Sequence, residues 1–296
     1  MEAKQNPEVQ TEQNALDNLK NILFLKVQSE FSKIWGNKDT KYLWEQVNIW
    51  IDDDNNLDGV ISFLESRFNL AEGRILDFGC GWGTDLIFCL KKGYNAFGID
   101  VSKDKAKFHA LRIQTKNYPK IWLERFIISE GENLPFKSET FDIVYSNQVI
   151  EHVKEPQKCI SEIFRVLKKG GILYIRAPDY KSSFFEPHYR ILWFPFLNRR
   201  TAKIYIKLLG KPSDGLKFIN FIGSNELIKI MKEVGFSKIQ DLNYELIFLD
   251  REKKFFKFFP GFNRKVLRFL NYIYEFLRQL RNLGKQENTI HILAQK

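Results

Sequence analysis

Apolar positions recur along this chain with two different periods, and the period changes near residue 73. Within residues 15–35, Leu16, Leu19, Leu23, Val27, Phe31 and Ile34 fall at helical spacing. Trp44, Val47, Ile49 and Trp50 predict a second, shorter helix, and residues 57–68 a third. Residues 1–14 are polar and are expected to be disordered. Residues 1–72 are thus expected to form a polar tail and a helical cap, and residues 73–296 the main domain.

Beyond residue 73 short apolar runs alternate with helical patterns. Strands are expected near 74–78, 95–99, 122–128, 141–146 and 171–177, and helices near 84–92, 102–114 and 156–168. Pro156 suits a first helical turn, and Gly170-Gly171 suits the end of that helix. Residues 224–234 predict a helix stopped by Gly235, and residues 238–249 and 289–294 predict two more strands. Such alternation argues an α/β fold, a doubly wound and mostly parallel sheet with helices on both faces. Ligands of these folds sit at the carboxyl ends of the strands.

One stretch carries the candidate chemistry: Arg74-Ile75-Leu76-Asp77-Phe78-Gly79-Cys80-Gly81-Trp82-Gly83-Thr84-Asp85. An apolar strand feeds alternating glycines and then a helix, an arrangement suited to a nucleotide. Glycine lets backbone approach a ligand closely, and the helix start offers unpaired N–H groups. Asp77, at the strand end, can receive a cation or hold the loop by hydrogen bonds. A second strand ends in Gly98-Ile99-Asp100, where the acid can accept both hydroxyls of a ribose. Two further segments follow, Ser129-Glu130-Gly131-Glu132-Asn133-Leu134-Pro135-Phe136 and Phe141-Asp142-Ile143-Val144-Tyr145-Ser146-Asn147-Gln148-Val149-Ile150-Glu151-His152-Val153.

Taken in this order, the four segments resemble those of the class I S-adenosylmethionine (SAM) methyltransferases, of the type that acts on small molecules, lipids or glycans. The resemblance covers residues 74–177 closely and 224–249 and 289–296 loosely. It implies a Rossmann-like, seven-stranded sheet whose last strand is antiparallel to its neighbours. It implies that SAM is the cofactor, held by Asp77, Gly79, Cys80, Gly81, Trp82 and Gly83, with Asp100 and Val101 at the ribose. Trp82 is expected either to line that loop or to pack in the core. Glu130 and the N–H of Gly131, next to Glu132, would read the adenine edge. Here Glu replaces the family's Asp, and Gly its Ala. Asn147 would lie near the methionine part.

Charge and cysteine usage narrow the setting. The chain has 296 residues, a formal net charge of +10 and a pI of about 9.3. Residues 1–72 hold 13 acids and 7 bases, a net of −6, which leaves +16 for the rest. A basic body suggests an anionic partner. Cys80, Cys89 and Cys159 show no paired or metal-like spacing, so a reducing compartment and no metal are expected. The acidic run Asp52-Asp53-Asp54 is expected to be a solvated loop or a cap, with a metal site as the weaker alternative. The first residues are polar and acidic, unlike a signal peptide, and no apolar run approaches a membrane span. A cytoplasmic setting is expected, with peripheral attachment at the inner face of the membrane as an alternative.

Two segments exceed a minimal methyltransferase. Residues 178–222 interleave Phe184, Phe185, His188, Tyr189, Trp193, Phe194 and Phe196 with Arg190, Arg199, Arg200, Lys203 and Lys207. Residues 251–285 combine an aromatic cluster with an apolar stripe and a basic face, and both insertions are expected to be helical. The second would pack on the domain, dock on an anionic membrane surface, or form a dimer contact; the oligomeric state stays open. Candidate bases for a hydroxyl acceptor are His152 and His188, each with an ordinary packing or loop role as its rival. Base methyltransferases of this fold carry an Asn/Asp-Pro-Pro-aromatic segment, which residues 147–150 lack, so nucleic acid is the less favoured partner. The expected activity is methyl transfer from SAM to a small or lipid-linked acceptor, a glycan sugar or a quinone-type hydroxyl. Methylation of RNA or protein, and SAM binding without turnover, are the alternatives.

Overall fold

The computed structural model describes residues 7–36, 39–54, 56–243, 266 and 288–296. The first helix, α1 (Pro7–Ile34), begins earlier than expected: the polar stretch from Pro7 is helical, and proline suits its first turn. It packs on α2 (Thr40–Ile51), whose Asp39 caps the start by accepting the N–H of Lys41. Leu43, Val47 and Ile51 of α2 join Leu19, Leu23 and Val27 of α1 in one buried cluster with Trp82 and Phe108. The third expected helix is broken. Asp58 and Gly59 both have positive φ, so only α3 (Val60–Glu65) is α-helical, preceded by a 3-10 turn at Leu57–Gly59.

Asp53 overturns the solvated-loop expectation. It is 4% exposed, where its carboxylate accepts from Arg112, Lys116 and the Tyr118 hydroxyl. Burial alone would raise its pKa, but Arg112 and then Lys116 hold it below the usual carboxylate range. Arg112 also donates to Trp50 O, so one charged network ties the end of α2 to the helix that carries Arg112.

The main sheet and its helices follow the expected alternation: β1 (Arg74–Phe78), α4 (Thr84–Lys91), β2 (Asn95–Asp100), α5 (Lys103–Thr115), β3 (Phe126–Ile128), β4 (Phe141–Asn147), α6 (Pro156–Val166) and β5 (Leu167–Pro178). The third strand is shorter than expected, because residues 120–125 form a 3-10 turn. Helix α6 stops at Val166, and Gly170, with φ of +78°, lies in β5 and not at the helix end. Residues 178–222 hold a two-stranded hairpin, β6 (Phe185–Glu186) with β7 (Ile191–Leu192), one α-helix, α7 (Arg199–Leu208), and a 3-10 turn at Asp214–Phe218, so this insertion is only partly helical. Then come α8 (Ser224–Val234), closed by Gly235 at φ +113°, β8 (Ser237–Asp241) and β9 (Thr289–Gln295).

The seven strands run in the order β3-β2-β1-β4-β5-β9-β8. β1 pairs in parallel with β2 and β4, and β2 with β3. β9 is antiparallel to both β5 and β8, as expected for the final strand. The chain divides into two compact units, Met1–Tyr145 with Arg165–Lys169, and Ser146–Phe164 with Gly170–Lys296. The helices of residues 7–65 and the first strands lie together in the first of these units. Apart from Val266, the insertion at 251–285 lies outside the described residues, as does the expected strand beyond Asn243. Among the described residues, no helix is long and apolar enough to cross a membrane.

Candidate active site

In the first unit the glycine loop leaves β1 and starts α4. Gly79, Gly81 and Gly83 all have positive φ, which L side chains rarely adopt. A Cβ on Gly81 would meet nothing within 4 Å, whereas a Cβ on Gly83 would lie 2.7 Å from His109 Nδ1. Gly81 therefore opens a space, and Gly83 permits a close approach of α5. The N–H groups of Gly79 and Cys80 both donate to Ile99 O, which ties the loop to β2. The Cys80 side chain turns to Gly98, where any Cβ would lie 2.8 Å from it. Trp82 is buried among α1, α2 and α5, edge-to-face with Phe108.

Asp100 Oδ2 accepts the Gly81 N–H at 3.1 Å, and its Oδ1 accepts the Ser102 N–H at 2.9 Å. Ser129 N–H donates to Asp100 O, which brings the turn of Glu130, Gly131 and Glu132 to the end of β2. Glu130 and Val101 are exposed, and Gly131 is buried. Asp77 is 4% exposed. Burial pushes its pKa well above the usual value; the Asp85 carboxylate adds to this, the Tyr145 hydroxyl opposes it, and Asp100 adds more. Asp85, buried on the first turn of α4, accepts the Leu57 N–H and is raised to about 7, chiefly by burial. Three carboxylates thus converge on one glycine loop.

In the second unit the segment after β4 turns sharply at Gln148, whose φ is +58° and whose N–H donates to Arg176 O. Arg176 also donates to Asn147 Oδ1 at 3.2 Å. Glu151 and His152 follow, and Asn220 N–H donates to Glu151 O. His152 and His188 come together: their Nε2 atoms are 3.0 Å apart, with the rings edge-to-face. His188 Nδ1 donates to Glu186 Oε1 at 2.8 Å. Glu186 is fully buried and also accepts from the Tyr180 hydroxyl and the Tyr189 N–H. Burial alone would raise its pKa, but these donors, His188 first, hold it below the usual range.

Known proteins resemble this chain. A methyltransferase-domain family model matches residues 76–175. An uncharacterized protein of Methanocaldococcus jannaschii is 32% identical over 198 residues, 66% of this chain and 80% of that protein. A ubiquinone biosynthesis O-methyltransferase of Pelagibacter ubique is 28% identical over 184 residues, 59% of this chain and 66% of its own length. Among solved structures, phosphoethanolamine N-methyltransferase 2 of Haemonchus contortus in complex with SAM has a TM-score of 0.49 at 18% identity, over 80% of this chain and 51% of that one.

The chain belongs to the class I SAM-dependent methyltransferases. It is an enzyme, and its cofactor is SAM, which supplies an electrophilic methyl on a positively charged sulfur. The methyltransferase's first unit fits that group on two observations. Gly81 takes positive φ and has open space beside its Cα. The crowded carboxylates of Asp77, Asp85 and Asp100 suit a ligand carrying positive charge.

Reading the sequence alone missed three residues of this enzyme. Arg112 and His109 lie one turn apart on α5, polar residues between the buried Phe108 and Ile113, and that break in the apolar face was their signal. Burial pushes His109 down to about 4, so it stays neutral beside Gly83. Glu186 had no signal beyond its place two residues before His188.

Proposed function

We propose that this methyltransferase moves the SAM methyl to a hydroxyl oxygen of a small-molecule or lipid-linked acceptor. In this reading Asp77, Gly79, Cys80, Gly81, Trp82 and Gly83 form the donor loop, and Asp100, Val101, Glu130, Gly131, Glu132 and Asn147 complete the donor contacts. Asp100 keeps acceptor lone pairs for the ribose hydroxyls while it holds the N–H of Gly81. His152 and His188 take charge of the acceptor proton. One observation carries the proposal: two histidines far apart in sequence present their ε nitrogens 3.0 Å apart. A nitrogen nucleophile needs no such device once it is neutral, whereas a hydroxyl gains from proton removal as the oxygen attacks. The O-methyltransferase activity named for the Pelagibacter relative agrees with this.

A lipid-side acceptor has its own support. Phe196 is 80% exposed, and on α7 Ile204 and Leu208 are exposed beside Arg200, Lys203 and Lys207. Apolar tips among basic side chains suit an anionic lipid surface at the cytoplasmic face. The test is transfer of labelled methyl from SAM to a lipid and glycan extract, followed by alkaline hydrolysis of the product. Label kept through alkali as the methyl ether of an extractable molecule supports the reading, and label released as methanol from a methyl ester refutes it. Label only on nitrogen, or only in RNA or protein, refutes it. Flotation on anionic vesicles, lost in the Lys203→Glu/Lys207→Glu variant, supports the lipid part, and no flotation at low salt refutes it.

A further inference from the structure

The contact between His152 and His188 raises a question of charge. His152 Nδ1 lies 2.8 Å from Phe218 O, and a carbonyl only accepts, so that nitrogen carries the hydrogen. His188 Nδ1 is equally committed to Glu186 Oε1 at 2.8 Å. With hydrogens on both Nδ1 atoms, the two Nε2 atoms turn lone pairs towards each other across 3.0 Å. Such a contact is stable only with a positive centre between or beside them, a shared proton or a metal ion. Glu151 makes the difference. It is fully buried, its Oε1 is 3.8 Å from His152 Nε2, and the donor atoms of all three residues lie within 4.8 Å of one another. Two buried carboxylates, Glu151 and Glu186, lie against the pair. Two imidazoles and a carboxylate with an open further position form a known ligand set for zinc and its neighbours. The outer hydrogen bonds, one to a backbone carbonyl and one to a carboxylate, are those that orient metal-binding histidines.

We infer that Glu151, His152 and His188 bind one divalent transition-metal ion, zinc or manganese in type. The ion sits on a carboxylate oxygen and the two Nε2 atoms, and leaves a coordination position for an oxygen ligand. Its role rests on the hydroxyl-acceptor reading above. The ion would lower the proton affinity of an acceptor hydroxyl bound at that position, and the proton would pass to water. Under this assignment the two histidines act on the acceptor proton through the ion they hold.

The experiment uses the full chain, stripped with a chelator and titrated calorimetrically with zinc, manganese and magnesium chlorides in turn. The expected result is one zinc or manganese ion per chain, bound far more tightly than magnesium. His188→Ala should weaken this ion on the order of 100-fold or more, and Glu186→Gln on the order of 10- to 100-fold, because the second change only loosens a ligand's orientation. Circular dichroism and SAM titration, both expected to be unchanged, show that the variants are folded. If either variant unfolds, cobalt substitution of the wild-type protein replaces it, and visible bands that appear with one equivalent of cobalt and bleach with zinc support the site. No zinc or manganese binding by the wild-type chain overturns the inference, and so does binding unchanged in both variants. These readouts need no acceptor. A chain that binds the ion but never methylates oxygen keeps the site and loses the hydroxyl reading, and a chain that methylates oxygen without any ion does the reverse.

Discussion

Asp77 and Glu186 are both buried carboxylates, 4% and 0% exposed, and the chain surrounds them in opposite ways. Glu186 sits among donors: the Tyr180 hydroxyl, the Tyr189 N–H and His188. They offset burial and hold its pKa low. Asp77 sits among its own kind, with Asp85 and Asp100 nearby, and burial and repulsion both drive its pKa up. A satisfied buried carboxylate fixes the groups around it. A crowded one stores unfavourable energy that a cationic ligand can release, which is why perturbed acids gather at functional sites. The same contrast separates structure from function within the first unit, where Asp53 is satisfied as Glu186 is.

Truncating the satisfied Asp53 should therefore damage the fold. Asp53→Ala leaves the Arg112 guanidinium buried without its partner, and should cost about 3–5 kcal/mol of stability by chemical denaturation. Asp53 has a depressed pKa, so its contribution is complete above the unfolded value of 3.8 and is lost as the pH falls below it. SAM affinity per folded molecule should hold. A loss of stability under about 1 kcal/mol would place Asp53 with ordinary surface pairs and erase the contrast.

How much of this was legible in the sequence follows from the range of each interaction. The strand, the glycine loop and α4 are local: Ile75, Leu76 and Phe78 are buried in β1, and the loop glycines follow within a few residues. Periodicity therefore placed them almost to the residue. Helix α3 was overestimated because Asp58 and Gly59 take positive φ, which an apolar pattern does not register. Asp53 was misread because its partners, Arg112, Lys116 and Tyr118, lie about sixty residues on, beyond any local signal. His152 and His188 were each singled out, but their pairing spans 36 residues and depends on the hairpin of β6 and β7. Glu186, which carries that pairing, sits in the same hairpin and gave no sign of its role.

The glycines sharpen the comparison at lower cost. Both Gly83 and Gly81 have positive φ, so alanine at either should cost roughly 1–2 kcal/mol in backbone strain. At Gly83 the new Cβ also meets His109 Nδ1, so Gly83→Ala should destabilise the fold beyond that figure. At Gly81 the Cβ enters open space, so Gly81→Ala should lose SAM affinity for little more than the strain. Thermal unfolding and SAM titration of the two variants separate these outcomes. A Gly81→Ala protein that binds SAM normally would remove this loop from the donor site.

The crowded acids should also leave a mark on the pH profile of the ligand-free protein. Asp85 is raised from 3.8 to about 7 in the folded chain. Between these values the unfolded chain has released a proton that the folded chain still holds, so stability falls as the pH rises. The slope should approach about 1.4 kcal/mol per pH unit and flatten above the folded pKa. In Asp85→Asn this part of the slope should vanish. Denaturation midpoints across pH 5–8 that are flat in the wild-type chain would count against a strained acid cluster.

Calorimetric titration of SAM into the wild-type chain and Asp77→Asn tests the contrast most directly. Asparagine keeps the shape and removes the charge, so the fold should be kept or slightly stabilised, while SAM affinity should fall about 10- to 100-fold, the worth of one charged hydrogen-bonding contact. Equal affinity in the two proteins would contradict the account, because the buried carboxylate would then have no part in holding the methyl donor.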